Sequence, residues 1–213
     1  MRKLLVIMCL SLLVAELDAQ ENNNRRTKNT LLKNSSLTGG FVGNTLKAGE
    51  MAGQNALWVG GEVGVIFGHD LGIGFAGYGL VNTVKSKNVT ALDNPLYYQA
   101  GYGGVLIEPA MFENRIFSLS FPSLFGLGGV AETTFRGVLD APDGFEIDHD
   151  FYANGSTFWV VEPGAQLNLN VTRWMKLNAG VTYRKTYGVD LPLISSSSLD
   201  GLQGTVSLKL GWF

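Results

Sequence analysis

Six charged residues stand alone in stretches that otherwise alternate between apolar and small side chains: Glu62, Glu108, Glu162, Lys176, Arg184 and Lys209. Carboxylates brought close together can run a hydrolysis, one giving a proton and one taking it. Acids facing bases can instead pair and fill an interior. The spacing favours pairing. Each charge falls on the non-apolar parity of its own stretch, so all six point to one side of a closed sheet, and an active site needs access that a filled interior lacks. A second group, Asp140, Asp143, Glu146, Asp148 and Asp150 around His149, offers oxygen ligands for a divalent cation. It lacks the spaced ligands and central glycine of an EF-hand loop, so a solvated acidic loop is the plainer expectation and no particular metal is specified. His69 beside Asp70 reads as a turn residue. Gly72 and Gly74 alternate along a strand and do not open a helix, so they form no phosphate loop. No catalytic residue and no cofactor follow from these patterns.

The elements that place the charges are strands. Residues 57–67 alternate Leu57, Val59, Val63, Val65 and Phe67 against Trp58, Gly60, Glu62, Gly64 and Ile66. Residues 71–81 set Leu71, Ile73, Phe75 and Val81 against Gly72, Gly74, Ala76 and Tyr78. The pattern recurs over 97–108, over 116–129 with Phe117, Leu119, Phe121, Phe125 and Leu127 on one face, and over 159–169 and 175–184. At the end, Val206, Leu208, Leu210 and Trp212 oppose Thr205, Ser207, Lys209 and Gly211. A weaker stretch, 37–47, comes first. That gives eight strands, joined by connections that are short after the second, fourth and sixth and long after the third (82–95), fifth (131–156) and seventh, which is Ser-rich. Glycine, at 28 residues, suits a tightly curved sheet.

The chain begins as a secretory signal: Arg2 and Lys3, an apolar run over 4–15, and Ala19 before Gln20 as the cleavage point, although Leu17 is not the ideal small residue there. About twelve apolar residues are too few to span a membrane as a helix. Residues 20–36 read as a flexible polar tail and 37–213 as the folded domain. Cys9, the only cysteine, lies in the signal, so the mature chain has neither disulfide nor catalytic thiol. Lys plus Arg total 16 and Asp plus Glu 18, a balance that excludes a nucleic-acid partner.

Alternation alone does not say which face is outside. A soluble barrel would expose the second face, and soluble surfaces are about 25–35% charged. Here that face is Gly, Ser, Thr and Asn with few charges, which suits a narrow lumen. The apolar stripe is therefore expected against lipid and the six charges inside, the glutamates pairing with Lys176, Arg184 and Lys209. Trp174, Trp212 and Phe67 then belong to one aromatic girdle, and Trp159, Tyr97 and Tyr183 to the other.

The signal, the strand pattern and the terminal aromatic make the chain similar to small bacterial outer-membrane barrels of the OmpA/OmpX kind. It departs in one respect: Trp212 continues the lipid-facing stripe and the final Phe213 is one position off. The resemblance implies an all-β, eight-stranded antiparallel up-and-down transmembrane barrel, a monomer in the cell outer membrane. Its partners would be outer-membrane lipid and lipopolysaccharide, and the barrel-assembly machinery through the C-terminal strand. The implied role is structural or surface-interacting, through extracellular loops. A narrow small-solute pore comes second. A lipid A-modifying enzyme comes third, since some such barrels use a rim His and Ser, and His149 with Ser156 is the only comparable pair, without diagnostic spacing. A secreted soluble β-barrel binding a small ligand remains if the stripe faces inward.

Overall fold

The strands expected from alternation close into a ring. The structure, a computed structural model, describes residues 37–68, 70–89, 95–112, 115–133, 154–191 and 194–213. The signal, the polar tail, His69 and the acidic loop with Asp140, Asp143, Glu146, Asp148, His149 and Asp150 lie outside the described residues.

Ten strands are present among the described residues: β1 (Leu37–Met51), β2 (Gln54–Phe67), β3 (Leu71–Leu80), β4 (Val84–Val89), β5 (Pro95–Met111), β6 (Phe117–Ser120), β7 (Ser123–Thr133), β8 (Asn154–Thr172), β9 (Met175–Tyr187) and β10 (Gly201–Trp212). They make eight staves. β3 and β4 lie one after the other along β5, and β6 and β7 one after the other along β8. Every neighbouring pair is antiparallel, and β1 pairs with both β2 and β10, which closes the barrel and removes its edges. The expected eight-stranded up-and-down barrel is the observed fold.

Two features differ from the sequence reading. The stretch 82–95 was expected to be a polar loop, but β4 forms within it and extends the wall beside β5. The fifth stave is interrupted at Phe121 and Pro122. Proline has no N–H for the ladder, and there the Phe121 N–H turns to the Pro109 carbonyl at 2.9 Å while Pro122 accepts the Gly164 N–H at 2.7 Å.

Short turns gather at one end: between β2 and β3, between β5 and β6, and at Arg173–Trp174 between β8 and β9. The other end carries the longer connections, except the two-residue β1–β2 turn. There Ala52 (φ 53°) and Gly53 (φ 74°) both take the left-handed conformation that a tight hairpin with right-twisted strands requires.

The faces sort as alternation predicts. Val42, Val63, Phe75, Phe125, Leu167, Val181, Val206 and Leu208 are exposed on the outside. Glu62, Glu108, Glu162, Lys176, Arg184 and Lys209 are all buried inside. Trp159, Trp174, Tyr183 and Trp212 are exposed at the barrel's ends, Trp212 at 72%. Tyr97 is not: expected in a girdle, it is only 4% exposed, on a strand flanked by β4 and β7. No helix among the described residues is long and apolar enough to cross a membrane.

The long-loop mouth is capped from within the chain. Leu191, Ile194 and Leu199 are buried there, the last on the single turn α1 (Ser196–Leu199). Ser198 accepts the Ala52 N–H at 2.7 Å, the Thr186 hydroxyl donates to the Ser196 carbonyl at 2.8 Å, and Asp200 accepts the Thr186 N–H at 2.7 Å.

Candidate functional site

Alternation on all eight staves brings polar and aromatic side chains into one lumen, and they stack along its axis. Toward the short turns, Lys209 of β10 reaches across to Glu62 of β2 (3.4 Å) and pairs with Glu108 of β5. Its ammonium stands 4.7 Å from the centre of the Phe41 ring. Thr45 donates to Glu62 at 3.5 Å. Below them Lys176 lies 4.1 Å from the centre of the Phe213 ring. The last residue therefore turns toward the lumen while Trp212 keeps the outward stripe, which accounts for the one-position offset.

Toward the long-loop end, Lys47 of β1 pairs with Glu162 of β8. Tyr102 donates to the other oxygen of Glu162 at 2.6 Å, and the Lys47 ammonium sits 3.3 Å above the Tyr78 ring. Tyr102 packs edge-on against Trp58, ring centres 5.3 Å apart. Above that pair the Arg184 guanidinium covers Trp58 at 4.3 Å. Its Nε donates to the Leu199 carbonyl at 2.7 Å and its Nη2 to the Glu50 carbonyl at 3.4 Å. Cations held over aromatic faces in dry surroundings gain about 2 kcal/mol or more.

All six charges expected inside thus face the lumen, but their pairing is redistributed. Glu62 and Glu108 share Lys209. Glu162 takes Lys47, a residue that sequence reasoning missed. The signal was available: Val42 and Leu46 set the outward parity of β1, which puts Lys47 inward. Arg184 bonds carbonyls of the cap and the β1–β2 hairpin instead of a glutamate. Each of these three glutamates is buried and engaged by a lysine, an arrangement that braces the wall. Ser156 is tied up locally, accepting the Asp190 N–H at 2.9 Å. Among the described residues no cluster of three or more His, Cys, Asp or Glu could hold a metal.

These features define a small closed β-barrel, apolar outside and filled with ion pairs and aromatics inside. Among solved structures it is similar to neisserial surface protein A, with a TM-score of 0.52 and 10% identity over 81% of this chain and 95% of that one. It also matches Ail, the attachment invasion locus protein of Yersinia pestis, crystallised with the heparin analogue sucrose octasulfate, at a TM-score of 0.47 and 15% identity over 82% of this chain and 96% of that one. The likeness to the neisserial protein is one of fold: the chain has the architecture of a small bacterial outer-membrane barrel. No protein-family model and no curated protein sequence matches the chain.

Proposed function

We propose that the protein is a monomeric barrel of the bacterial outer membrane that works as a surface-interaction protein, with its long-loop rim on the cell exterior. The inside-out distribution of side chains carries this reading. Leucine, valine and phenylalanine cover the outer wall while lysine, arginine and glutamate are buried, the reverse of what water rewards and what a bilayer requires. Lipid and lipopolysaccharide are then the partners of the apolar belt, and β10 is the segment that assembly machinery would engage. The filled lumen favours contact at the rim over passage of solutes. Trp58 and Arg184, both fully buried, stack across the lumen below the cap.

Cys9 is the chain's only cysteine, so single cysteines placed elsewhere report location cleanly. Ser197→Cys should react with a membrane-impermeant maleimide on intact cells, and Arg173→Cys only after lysis. The folded protein should fractionate with the outer membrane and shift its gel mobility on boiling. Recovery in the soluble fraction would remove the membrane reading. The opposite labelling pattern would invert the barrel.

A further inference from the structure

One wall of the lumen is different from the rest. Gln203, Thr205 and Ser207 of β10, Asn178 and Thr182 of β9, and Gln166 of β8 are each more than nine-tenths buried. Each has at least one side-chain polar atom with no hydrogen-bond partner in the protein; for Gln203 and Asn178 both the carbonyl and the amide nitrogen lack one. The strand register puts them in sequence down the barrel. Gln203 faces Thr182, Thr205 faces Gly180 with Gln166 beyond it, and Ser207 faces Asn178. Successive levels are two residues apart, about 6.6 Å along a strand. Gly180, with no side chain, leaves the middle level to Gln166, whose Cγ would lie 2.9 Å from a Cβ placed there.

A buried polar atom left without a partner costs about 1–3 kcal/mol, and a whole domain is stable by only about 5–15 kcal/mol. A row of eight such atoms is sustainable only if a ligand meets them. The first and last levels each present an amide nitrogen, an amide oxygen and a hydroxyl, and the middle level a hydroxyl and an amide oxygen, so a ligand that both gives and takes hydrogen bonds suits the whole row. It must also fit between two strands' side chains, and water alone is small enough and two-sided enough. Arg184 stands at the head of the row, with one guanidinium nitrogen, Nη1, also lacking a protein partner. Lys176 and Lys209 stand at its foot beside Asn178, around a cavity of about 30 Å³ that also touches Phe213. That is room for about two waters. At the head the Arg184 charge disfavours a cation as the occupant, while at the foot Lys209 is offset by Glu62 and Glu108.

We propose that the β8–β9–β10 wall holds a file of water along the lumen, open at the short-turn end and stoppered at the long-loop end by Leu199 and α1. Release of the stopper turns the file into a water path. This goes beyond the surface role and needs only that the barrel inserts in a bilayer, which the mobility shift on boiling checks separately in every preparation.

The test is osmotic shrinkage of proteoliposomes in a sucrose gradient, followed by stopped-flow light scattering. The full-length wild type should match protein-free vesicles. Replacing residues 194–200 by a Gly-Ser stretch of equal length should raise water permeability severalfold. Adding Thr182→Val, Thr205→Val and Ser207→Ala to that variant should return it to the baseline. If the Gly-Ser variant fails to fold, Leu199→Gly carries the same expectation. A folded stopper variant at baseline, a rise that survives the triple substitution, or a wild type that already conducts as fast would each overturn the proposal.

Discussion

Lys47 and Glu162, 115 residues apart in the chain, form an ion pair between two staves that share no hydrogen-bonded edge. β1 is paired only with β2 and β10, and β8 only with β6, β7 and β9. The pair is therefore a strut across the lumen, independent of the ladder. Tyr102 extends it to a third stave by donating to the same carboxylate.

Breaking such a strut on one side leaves a buried charge uncompensated, which typically costs about 3–5 kcal/mol, while removing both partners is often nearly neutral. Lys47→Met and Glu162→Leu should each lower the guanidine unfolding midpoint in lipid vesicles sharply. The double variant should recover most of the loss. Additive losses would show that the two side chains act separately.

A second prediction concerns how closely the staves approach. Gly104 of β5 and Gly126 of β7 face each other across the ladder, and a Cβ on Gly126 would come within 2.7 Å of the Gly104 Cα as well as striking the Gly103 carbonyl. Gly79, on β3, has open space where its Cβ would go. Gly126→Ala should cost about 1–3 kcal/mol or more through forced backbone shifts, and Gly79→Ala should cost little. The temperature at which each variant loses its compact gel mobility measures the difference.

Asn82 bears a third prediction. Its side-chain oxygen accepts the Leu57 N–H at 2.7 Å, and its amide donates to the Asn55 carbonyl at 2.9 Å, so one side chain supplies the rungs that β2 lacks where β3 ends. Gln54 repeats the device with the N–H and carbonyl of Lys85, at 3.1 and 2.8 Å. Asn82→Ala should speed hydrogen exchange at the Leu57 amide by up to about tenfold, since a part-buried hydrogen bond is worth about 0.5–1.5 kcal/mol net. Unchanged exchange at Leu57 would refute the splice.

These details mark where sequence reading stops. Period-2 alternation carried the staves, the faces and the inward aim of Glu62, Glu108, Glu162, Lys176, Arg184 and Lys209, because a one-residue slip flips every side chain. It did not carry partners. Which lysine meets Glu162 depends on how far β1 and β8 are staggered around the ring, and Lys47 sits in a strand whose glycines dilute the pattern. Arg184 ends on carbonyls of Leu199 and Glu50 because the cap folds inward, a non-local event with no local signature. The polar run after Leu80 looks like loop by composition. It becomes strand because Asn82 and Gln54 lend side-chain amides to the backbone.

The last prediction separates the membrane reading from a merely unusual soluble barrel. Leu208 lies midway along β10, exposed on the outer wall, with Val206 and Leu210 on the same stripe. Leu202 lies on that stripe near the long-loop rim and is more exposed still. In water, an arginine at either position would be harmless, since both are open to solvent. In a bilayer the cost depends on depth: about 2–4 kcal/mol at the midplane and about 0–1 kcal/mol near the interface. Leu208→Arg should therefore destabilise the vesicle-inserted protein far more than Leu202→Arg, measured by equilibrium unfolding in guanidine. Equal and negligible costs would mean that the apolar wall does not meet lipid, and the surface role proposed for its rim would lose its footing.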